Sequence, residues 1–210
     1  RSPRHELGEH AVEVAGVAET GEVAVGADVR DPKGCDSIIA AGVKAWGRVD
    51  SVISNAGIGF YGGLLDYDED KIRMMTDVNF LGTVWLTRSA LAEFRRSNNG
   101  GDIVIIASVA GQGVGGAKES VYAGTKAAQI QYAQSLQREV RTEGIRVTTI
   151  APAAANTSFA AADGRFGAGK PEDADFLRPS DLAAAVITCL KQPRRMRTAV
   201  WSLWSLAENG

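Results

Sequence analysis

The chain has 210 residues, of which 45% are hydrophobic and 23% are charged, which is the composition of an ordinary soluble globular protein. A net charge of −2 offers no surface for a polyanion, so nucleic acid is not an expected partner. No apolar run approaches the length of a membrane span, and no charged-then-apolar leader opens the chain, so we expect no membrane association.

The cysteines and histidines bear on redox compartment and metal binding. Cys35 and Cys189 lie far apart in helix-like patterns, so we expect both thiols to be reduced and buried, which suits a cytoplasmic protein. His5 and His10 lack companions at metal-ligand spacing, so no metal site is predicted.

Helical and strand patterns alternate along the first half of the chain. Asp31 followed by Pro32 is a typical cap and first residue of a helix. In chain order, the predicted elements are a helix from Pro3 to Ala18, a strand from Val23 to Ala27, a helix from Asp31, a strand from Val49 to Ser54, a glycine-rich turn to Gly63, and a long helix over residues 68–97.

The alternation continues in the second half. The predicted elements are a strand from Ile103 to Ala107, a flexible loop from Gly111 to Gly116, a helix that carries Tyr122 and ends near Glu143, a strand from Ile145 to Ile150, a loop over residues 152–177, a helix capped by Ser180, and a strand from Ala199 to Leu203. Strands that alternate with helices imply right-handed crossovers and a parallel sheet. The sequence therefore predicts a single α/β domain over residues 1–210.

The most informative residues are Ser108, Tyr122 and Lys126. Tyr122 and Lys126 are four residues apart, so their side chains lie on one helix face, one turn from each other. A nearby positive charge favours the phenolate, so Lys126 can make Tyr122 a usable proton donor and acceptor. Ser108 follows a predicted buried strand, whose carboxyl end is where open α/β sheets bind ligands. Taken alone, the Tyr-x-x-x-Lys spacing also fits two polar residues on a solvated helix face.

Further motifs stand upstream of these three residues. The predicted strand that ends at Ser54 runs into Asn55-Ala56-Gly57, and Asn79 follows in a helical stretch. The order Asn-Ala-Gly, Asn, Ser and Tyr-x-x-x-Lys, with these intervals, resembles the short-chain dehydrogenase/reductase family over nearly the whole chain. The resemblance implies a Rossmann-like, doubly wound sheet. It also implies an oxidoreductase that transfers a hydride between NADP or NAD and a carbonyl or secondary alcohol.

The resemblance implies a role for each polar residue of this set. Tyr122 would give its proton to the carbonyl oxygen, and Lys126 would lower the Tyr122 pKa and bond the nicotinamide ribose. Ser108 would hold the substrate oxygen beside the phenol. Asn79 would fix a water that passes protons to Lys126, the alternative being a helix-interior amide bonded to backbone.

Cofactor contacts are implied at two further places. Asp28, followed by Val29, matches the acidic residue that bonds the adenine amino group, although a helix-start cap is an alternative role for Asp28. Asn55-Ala56-Gly57 would stabilise the central sheet and line the ribose side of the cofactor. Ser54 stands where the family more often has a first Asn.

The segment after the strand at Ile145 is expected to meet the nicotinamide. Pro152 and Thr157 match the family's proline and carboxamide-binding threonine, whereas Ala153 replaces a glycine and restricts the backbone there. Arg1 could match a basic residue that favours the 2′-phosphate of NADP over NAD, or it could be a frayed end.

The family opens with a strand, a glycine-rich phosphate turn and a helix, and this first βα unit is missing from residues 1–210; we expect either that it precedes Arg1 or that the protein has lost it. Gly57–Gly62 and Gly111–Gly116 both fit Gly-x-Gly-x-x-Gly, but neither opens directly into a periodic helix, so we interpret both as flexible loops. The missing turn and Ala153 leave an alternative function, a non-catalytic scaffold that oligomerises without binding a dinucleotide.

An apolar substrate pocket and a symmetric assembly are also expected. The pocket walls would be Ile58, Phe60, the 109–121 loop and the 152–177 loop with Phe159, Phe166 and Phe176. A homodimer or homotetramer would pair the two long helices, unless their apolar residues serve the chain's own core. The residues in question are Trp85, Leu86, Ala90, Leu91, Phe94, Ile130, Ala133, Leu136 and Val140.

Overall fold

The structure is a computed structural model, and it describes residue 21, residues 23–157, residue 159 and residues 176–208. The expectations for Arg1, His5, His10, the helix from Pro3 to Ala18 and Phe166 lie outside the described residues. The helices are α1 (Pro32–Trp46), α2 (Glu69–Met75), α3 (Gly82–Ser97), α4 (Ser120–Val140) and α5 (Pro179–Leu190). The strands are β1 (Ser51–Ser54), β2 (Gly101–Ile106), β3 (Ile145–Pro152) and β4 (Val200–Leu203).

The four strands form one parallel sheet in the order β1-β2-β3-β4. Ser54 pairs with Ile105, and Ile150 pairs with Ile106. All four carboxyl ends therefore meet at the same edge of the sheet, which confirms the predicted parallel α/β architecture.

Helices cover both faces of this sheet. Alternate residues of β2 point to opposite faces, so Ile103 and Ile105 pack with α1, α3 and α4, whereas Val104 and Ile106 pack with α5. The near-continuous apolar sequence of β2 is what burial on two faces requires.

The interface interpretation of the long helices is wrong for most of the residues that suggested it. Seven of them are buried in the chain's own core, which fills the space between the helices and the sheet: Leu86, Ala90, Leu91, Phe94, Ala133, Leu136 and Val140. Only Trp85 and Ile130 remain partly exposed. Packing within one chain therefore explains the apolar excess on these helices.

Two element predictions need correction. The segment predicted as a strand from Val23 to Ala27 has a single bridge residue, Ala27, and no ladder within the described residues. A strand is defined by hydrogen bonds to a neighbour, so its apolar pattern alone did not make one.

The helix predicted to be capped by Ser180 has Arg178 at its N-cap, because Pro179 takes the first helical position and the Asp181 carboxylate accepts the Arg178 N–H at 2.7 Å.

Other local predictions are confirmed. Asp31 caps α1, since its carboxylate accepts the Lys33 N–H at 3.0 Å. Cys35 and Cys189 are both unpaired and buried. Neither glycine-rich stretch runs straight into an α-helix. Within the part of the chain that is described, none of the helices has both the length and the apolar character that a bilayer crossing demands.

The helix predicted over residues 68–97 is interrupted by a π-helical turn, Thr76–Leu81, between α2 and α3. Asn79 lies in this turn and is fully buried. Turns of this kind are rare and often occur at functional sites.

An ion-pair cluster closes the opposite, amino-terminal edge of the sheet. Arg146 of β3 is 8% exposed and donates to both oxygens of Asp102 of β2, at 2.6 and 3.0 Å. Arg194 also donates to Asp102, at 2.8 Å. The remaining Arg146 donors bind backbone carbonyls at the end of α5 and in the segment after it, those of Leu190, Gln192, Pro193 and Met196.

We expect Arg146→Met to destabilise the fold by about 3–5 kcal/mol, because it leaves the largely buried Asp102 carboxylate to the half-exposed Arg194 and several backbone carbonyls without their donor. Urea denaturation measures the loss. Arg48→Met is the control, since its ion pair with Asp50 is more than half exposed and should contribute little. If the two variants were equally stable, the ion-pair cluster would not be a main source of stability at this edge of the sheet.

Candidate active site

The carboxyl edge of the sheet opens into a cavity of about 910 Å³. Most of the residues singled out from the sequence line it: Val29, Asn55, Ala56, Gly57, Ser108, Tyr122, Lys126, Pro152, Ala153, Thr157 and Phe159. The structure therefore brings together the ends of β1, β2 and β3 and the first turns of α4, as the parallel topology requires.

Ser108 follows β2 and begins a 3₁₀ turn, Val109–Gln112. Its hydroxyl accepts the Ala110 N–H at 3.2 Å and lies a long 3.4 Å from the Pro152 carbonyl. Bonds this long hold a hydroxyl weakly, so the Ser108 proton can turn toward a molecule in the cavity.

Gly111 sets the distance between the Ser108 turn and α4. A Cβ atom at Gly111 would lie 2.5 Å from the carbonyl carbon of Lys126 and 2.6 Å from the nitrogen of Ala127. The turn and the helix therefore touch backbone to backbone, and this contact fixes Ser108 relative to the helix that carries Tyr122.

We expect Gly111→Ala to destabilise the protein by roughly 1–3 kcal/mol, the range for overpacking, and to slow any turnover that uses Ser108. Gly124→Ala is the matched control on α4, because a methyl there meets nothing within 4 Å and should stabilise the helix by about 0.5–1 kcal/mol. Thermal denaturation and initial rates test both. Wild-type stability and rate in Gly111→Ala would show that the close approach is not needed.

Tyr122 lies in the first turn of α4 and is 5% exposed. It packs with Met75 and Ala110, and its ring centroid lies 5.9 Å from that of Phe159. The expected pocket residues Ile58 and Phe60 pack against the same cluster. The Tyr122 ring is thus fixed by apolar contacts at the wall of the cavity.

Lys126 lies one turn after Tyr122, with its Nζ 5.7 Å from the centre of the phenol ring. The side chain is 4% exposed, and Nζ donates to the Ile106 carbonyl at 3.0 Å. Burial lowers the pKa of Lys126 from 10.5 to about 7. The amine can therefore gain and lose a proton near neutral pH, which excludes the solvated-face interpretation of the Tyr-x-x-x-Lys spacing.

Asn79 ties the π-helical turn to the loop after β1 and to α4. Its Oδ1 accepts the Ile58 N–H, and its Nδ2 donates to the Ile58 carbonyl, both at 2.8 Å. The second Nδ2 proton goes to the Thr125 hydroxyl at 3.0 Å. The structure thus shows the amide bonded to backbone, and the water relay through Asn79 stays a prediction.

Gly57 lies between Asn79 and Lys126. A Cβ at Gly57 would stand 3.4 Å from Asn79 Oδ1 and 3.5 Å from Lys126 Nζ. The absence of a side chain at Gly57 therefore leaves one space that Asn79 Oδ1 and Lys126 Nζ both border.

Arg30, which no sequence pattern singled out, donates hydrogen bonds to the Asp28 carboxylate. The guanidinium and backbone N–H of Arg30 make four hydrogen bonds to the two oxygens of Asp28, at 2.6–3.0 Å. The Arg30 hydrogen bonds hold the pKa of Asp28 below its usual range. The side chain of Asp28 does not cap α1, a role that Asp31 fills.

Glu208 is another site residue that sequence reasoning missed. It lines the cavity, and its carboxylate accepts the N–H groups of Ala154, at 3.1 Å, and Ser205, at 3.2 Å. It therefore fastens the segment that carries Ala153 to the chain beyond β4. No pattern near Glu208 reports this bond, because the two ends are brought together only by the fold.

Comparison with known proteins identifies the family. The family model for short chain dehydrogenases matches residues 2–165. An uncharacterized oxidoreductase of Staphylococcus aureus strain USA300 is 32% identical over 169 residues, which cover 80% of this chain and 70% of that relative. The oxidoreductase UcpA of Escherichia coli K12 is 36% identical over 150 residues, covering 71% of this chain and 56% of UcpA. The chain belongs to the short-chain dehydrogenase/reductase family.

Solved structures agree with this assignment. The closed form of a serine dehydrogenase complexed with NADP+ superposes with a TM-score of 0.79 at 25% identity, covering 88% of this chain and 76% of that chain. An alcohol dehydrogenase from the archaeon Thermococcus sibiricus, complexed with 5-hydroxy-NADP, gives a TM-score of 0.76 at 25% identity and covers 88% and 74% of the two chains. The doubly wound Rossmann-type fold expected from the sequence is thereby confirmed.

Proposed function

We propose that the protein is an NADP- or NAD-dependent oxidoreductase that interconverts a carbonyl compound and its secondary alcohol, with Tyr122 as general acid and base. The observation that carries the proposal is the buried Lys126, whose amine titrates near neutral pH one helical turn from a phenol that lines the same cavity. Family membership and the dinucleotide-bound structural relatives support the same chemistry.

The cavity fits a dinucleotide in size and position. Its volume of about 910 Å³ lies at the carboxyl edge of a parallel sheet, and ligand pockets occupy roughly 300–1,000 Å³. Asn55, Ala56, Gly57, Lys126 and the segment from Pro152 to Thr157 would hold the group. When bound, a nicotinamide supplies or accepts the hydride.

The chain's own residues would manage the oxygen and the proton. Ser108 would donate its loosely held hydroxyl proton to the substrate oxygen and fix its place in the cavity. Tyr122 would give its phenolic proton to that oxygen in reduction and take it back in oxidation. Lys126, when protonated, favours the phenolate by its charge, and the space between Lys126 and Asn79 offers a route for the proton to return from solvent.

NADP is our first choice of cofactor, with NAD as the alternative, because both structural relatives described above carry an NADP-type ligand. Asp28 would bond the adenine amino group beside Arg30, since a carboxylate has about four acceptor positions and the Arg30 N–H groups that reach it, the backbone N–H, Nε–H and one on Nη2, fill three. Val29 lines the cavity beside it. The role of Arg1 remains a prediction from the resemblance.

The remaining expectations are proposals of the same kind. The substrate would be a small apolar carbonyl or alcohol, because Val109, Ala110, Val114 and Phe159 line the cavity around Tyr122. The protein would act as a homodimer or homotetramer in the cytoplasm, with residues 1–210 in one dinucleotide-binding domain.

The test is turnover by the full chain with NADPH or NADH and a panel of ketones and aldehydes. Loss of reduced-nicotinamide absorbance that depends on the carbonyl supports the proposal, and calorimetry with each cofactor decides between NADP and NAD. A full chain that oligomerises but neither binds a dinucleotide nor turns over any carbonyl would be the non-catalytic scaffold.

A further inference from the structure

A buried polar junction joins β1 and α4, which both contribute to the candidate site, with α3. Ser54 ends β1, Thr83 opens α3, and Gln129 lies on α4. Their exposed fractions are 3%, 1% and 0%. None of the three has a part in the proton chemistry proposed above.

The directions of the hydrogen bonds in this junction follow from counting protons. The Thr83 hydroxyl lies 2.8 Å from the Asn79 carbonyl, which can only accept, so the single Thr83 proton points there. Ser54, at 3.0 Å, and the Gln129 amide nitrogen, at 2.7 Å, must therefore both donate to Thr83. The Thr83 oxygen therefore receives one hydrogen bond from β1 and one from α4.

The carbonyl that Thr83 binds belongs to the π-helical turn. From that turn, the side-chain amide of Asn79 bonds to Ile58 and Thr125. A shift of the Asn79 backbone would move the amide and break these bonds. Gln129 lies one turn beyond Lys126 on α4, and through Thr83 it links that helix to the carbonyl of Asn79. Buried polar groups in such networks are costly to leave unpaired, so removal of the central hydroxyl disturbs all three neighbours.

We propose that Thr83, held by Ser54 and Gln129, is a positioning residue for the acid–base group. It fixes the π-helical turn so that Asn79 faces Lys126 across Gly57, and it sets the spacing of α4 from the loop after β1. The inference rests on the proposed function, since positioning has a kinetic meaning only if Tyr122 and Lys126 carry out proton transfer.

Thr83→Val keeps the shape of the side chain and removes the hydroxyl, whereas Thr83→Ser keeps the hydroxyl. Thr87→Val is the matched control, because the Thr87 hydroxyl is equally buried one turn later and bonds the Thr83 carbonyl and the Tyr132 phenol, at 2.8 and 2.7 Å. Each variant is made in the full chain and assayed with NADPH for kcat, KM and the pH profile of kcat/KM.

We expect Thr83→Val to lower kcat by roughly 10-fold or more and to displace the pH profile, since misplacement by about 1 Å can cost 100-fold. Thr83→Ser should recover most of the rate. Thr87→Val should lose stability without either kinetic change. An unaltered kcat and pH profile in Thr83→Val, or the same change in Thr87→Val, overturns the proposal.

A second pair of variants keeps the proposal testable if the Thr83→Val protein does not fold. Gln129→Leu removes one arm of the junction. Gln137→Leu removes an equally buried glutamine of α4 that bonds Ile145 and Val147 of β3, away from the site. The first should lower kcat and displace the pH profile, and the second should not. Equal kinetics in the pair overturns the proposal.

Hydrogen exchange separates this inference from the proposed function. The Ile58 amide donates to Asn79, so its exchange should accelerate in Thr83→Val or Gln129→Leu and not in Thr87→Val or Gln137→Leu. A wild-type chain without turnover would end the proposed function, and the exchange pattern would still report whether the junction holds Asn79. Unchanged exchange at Ile58 would end the positioning role.

Discussion

Tyr122→Phe is expected to lower turnover by about 10²–10⁴-fold while leaving the fold intact, because only the hydroxyl that would move the proton is removed. The ring itself keeps its contacts with Met75, Ala110 and Phe159. Steady-state rates in the full chain, together with thermal denaturation, measure the two effects separately.

Tyr132→Phe is the control on the same helix. Tyr132 is partly buried, and its hydroxyl bonds Thr87 at 2.7 Å, so its loss should cost stability of about 1 kcal/mol and leave the rate unchanged. Near-normal turnover in Tyr122→Phe would remove Tyr122 from the acid–base role.

Lys126→Met is expected to abolish the pH dependence of stability that the buried amine imposes, and to impair both the rate and cofactor binding. In the wild type the pKa falls from 10.5 in the unfolded chain to about 7 in the folded one. Between these two pKa values the Lys126 amine is protonated in the unfolded state and neutral in the folded state, so wild-type stability rises with pH. Below pH 7 both states are protonated, and the full cost of burying the charge, on the order of 5 kcal/mol, is present.

Urea denaturation from pH 6 to pH 10 tests this expectation, on the window that the two pKa values define. The methionine variant should be the more stable protein at the acidic end, and the difference should shrink toward pH 10.5. Lys44→Met changes an exposed lysine of α1 and should follow the wild type at every pH. If the stability of Lys126→Met changed with pH as steeply as that of the wild type, burial of the Lys126 amine would not be the source of the pH dependence.

The sequence predicts the sheet and the grouping of the candidate site residues around one cavity because the signals for both are local. The apolar runs that become β2 and β3 are long enough to require burial on both faces. The four-residue spacing of Tyr122 and Lys126 fixes their shared helix face. Each of these predictions needs only a few neighbouring residues.

What the sequence does not predict depends on contacts between distant segments. Thr83 and Glu208 are ordinary polar residues in their local patterns, and each acquires its role from a distant partner, Gln129 for Thr83 and Ala154 for Glu208. Arg30 lies two residues from Asp28, and it is the turn of the backbone there that brings the two side chains together. The π-helical turn has no helix-breaking residue to announce it. The segment from Val23 forms no ladder with the other described residues. A strand needs a neighbour to pair with, and a local pattern does not show whether one is present.

The contact at Gly111 has a consequence for how this enzyme scaffold could be retargeted. Residues 112–118, which follow it, are all exposed, whereas Val109 and Ala110 before it are buried. Variation concentrated after Gly111 would remodel the mouth of the cavity while the backbone contact with α4 keeps Ser108 and Tyr122 in register. A library of substitutions and insertions over residues 113–118 would thus explore new substrates without rebuilding the reaction centre, whereas one that includes position 111 would mostly yield inactive proteins.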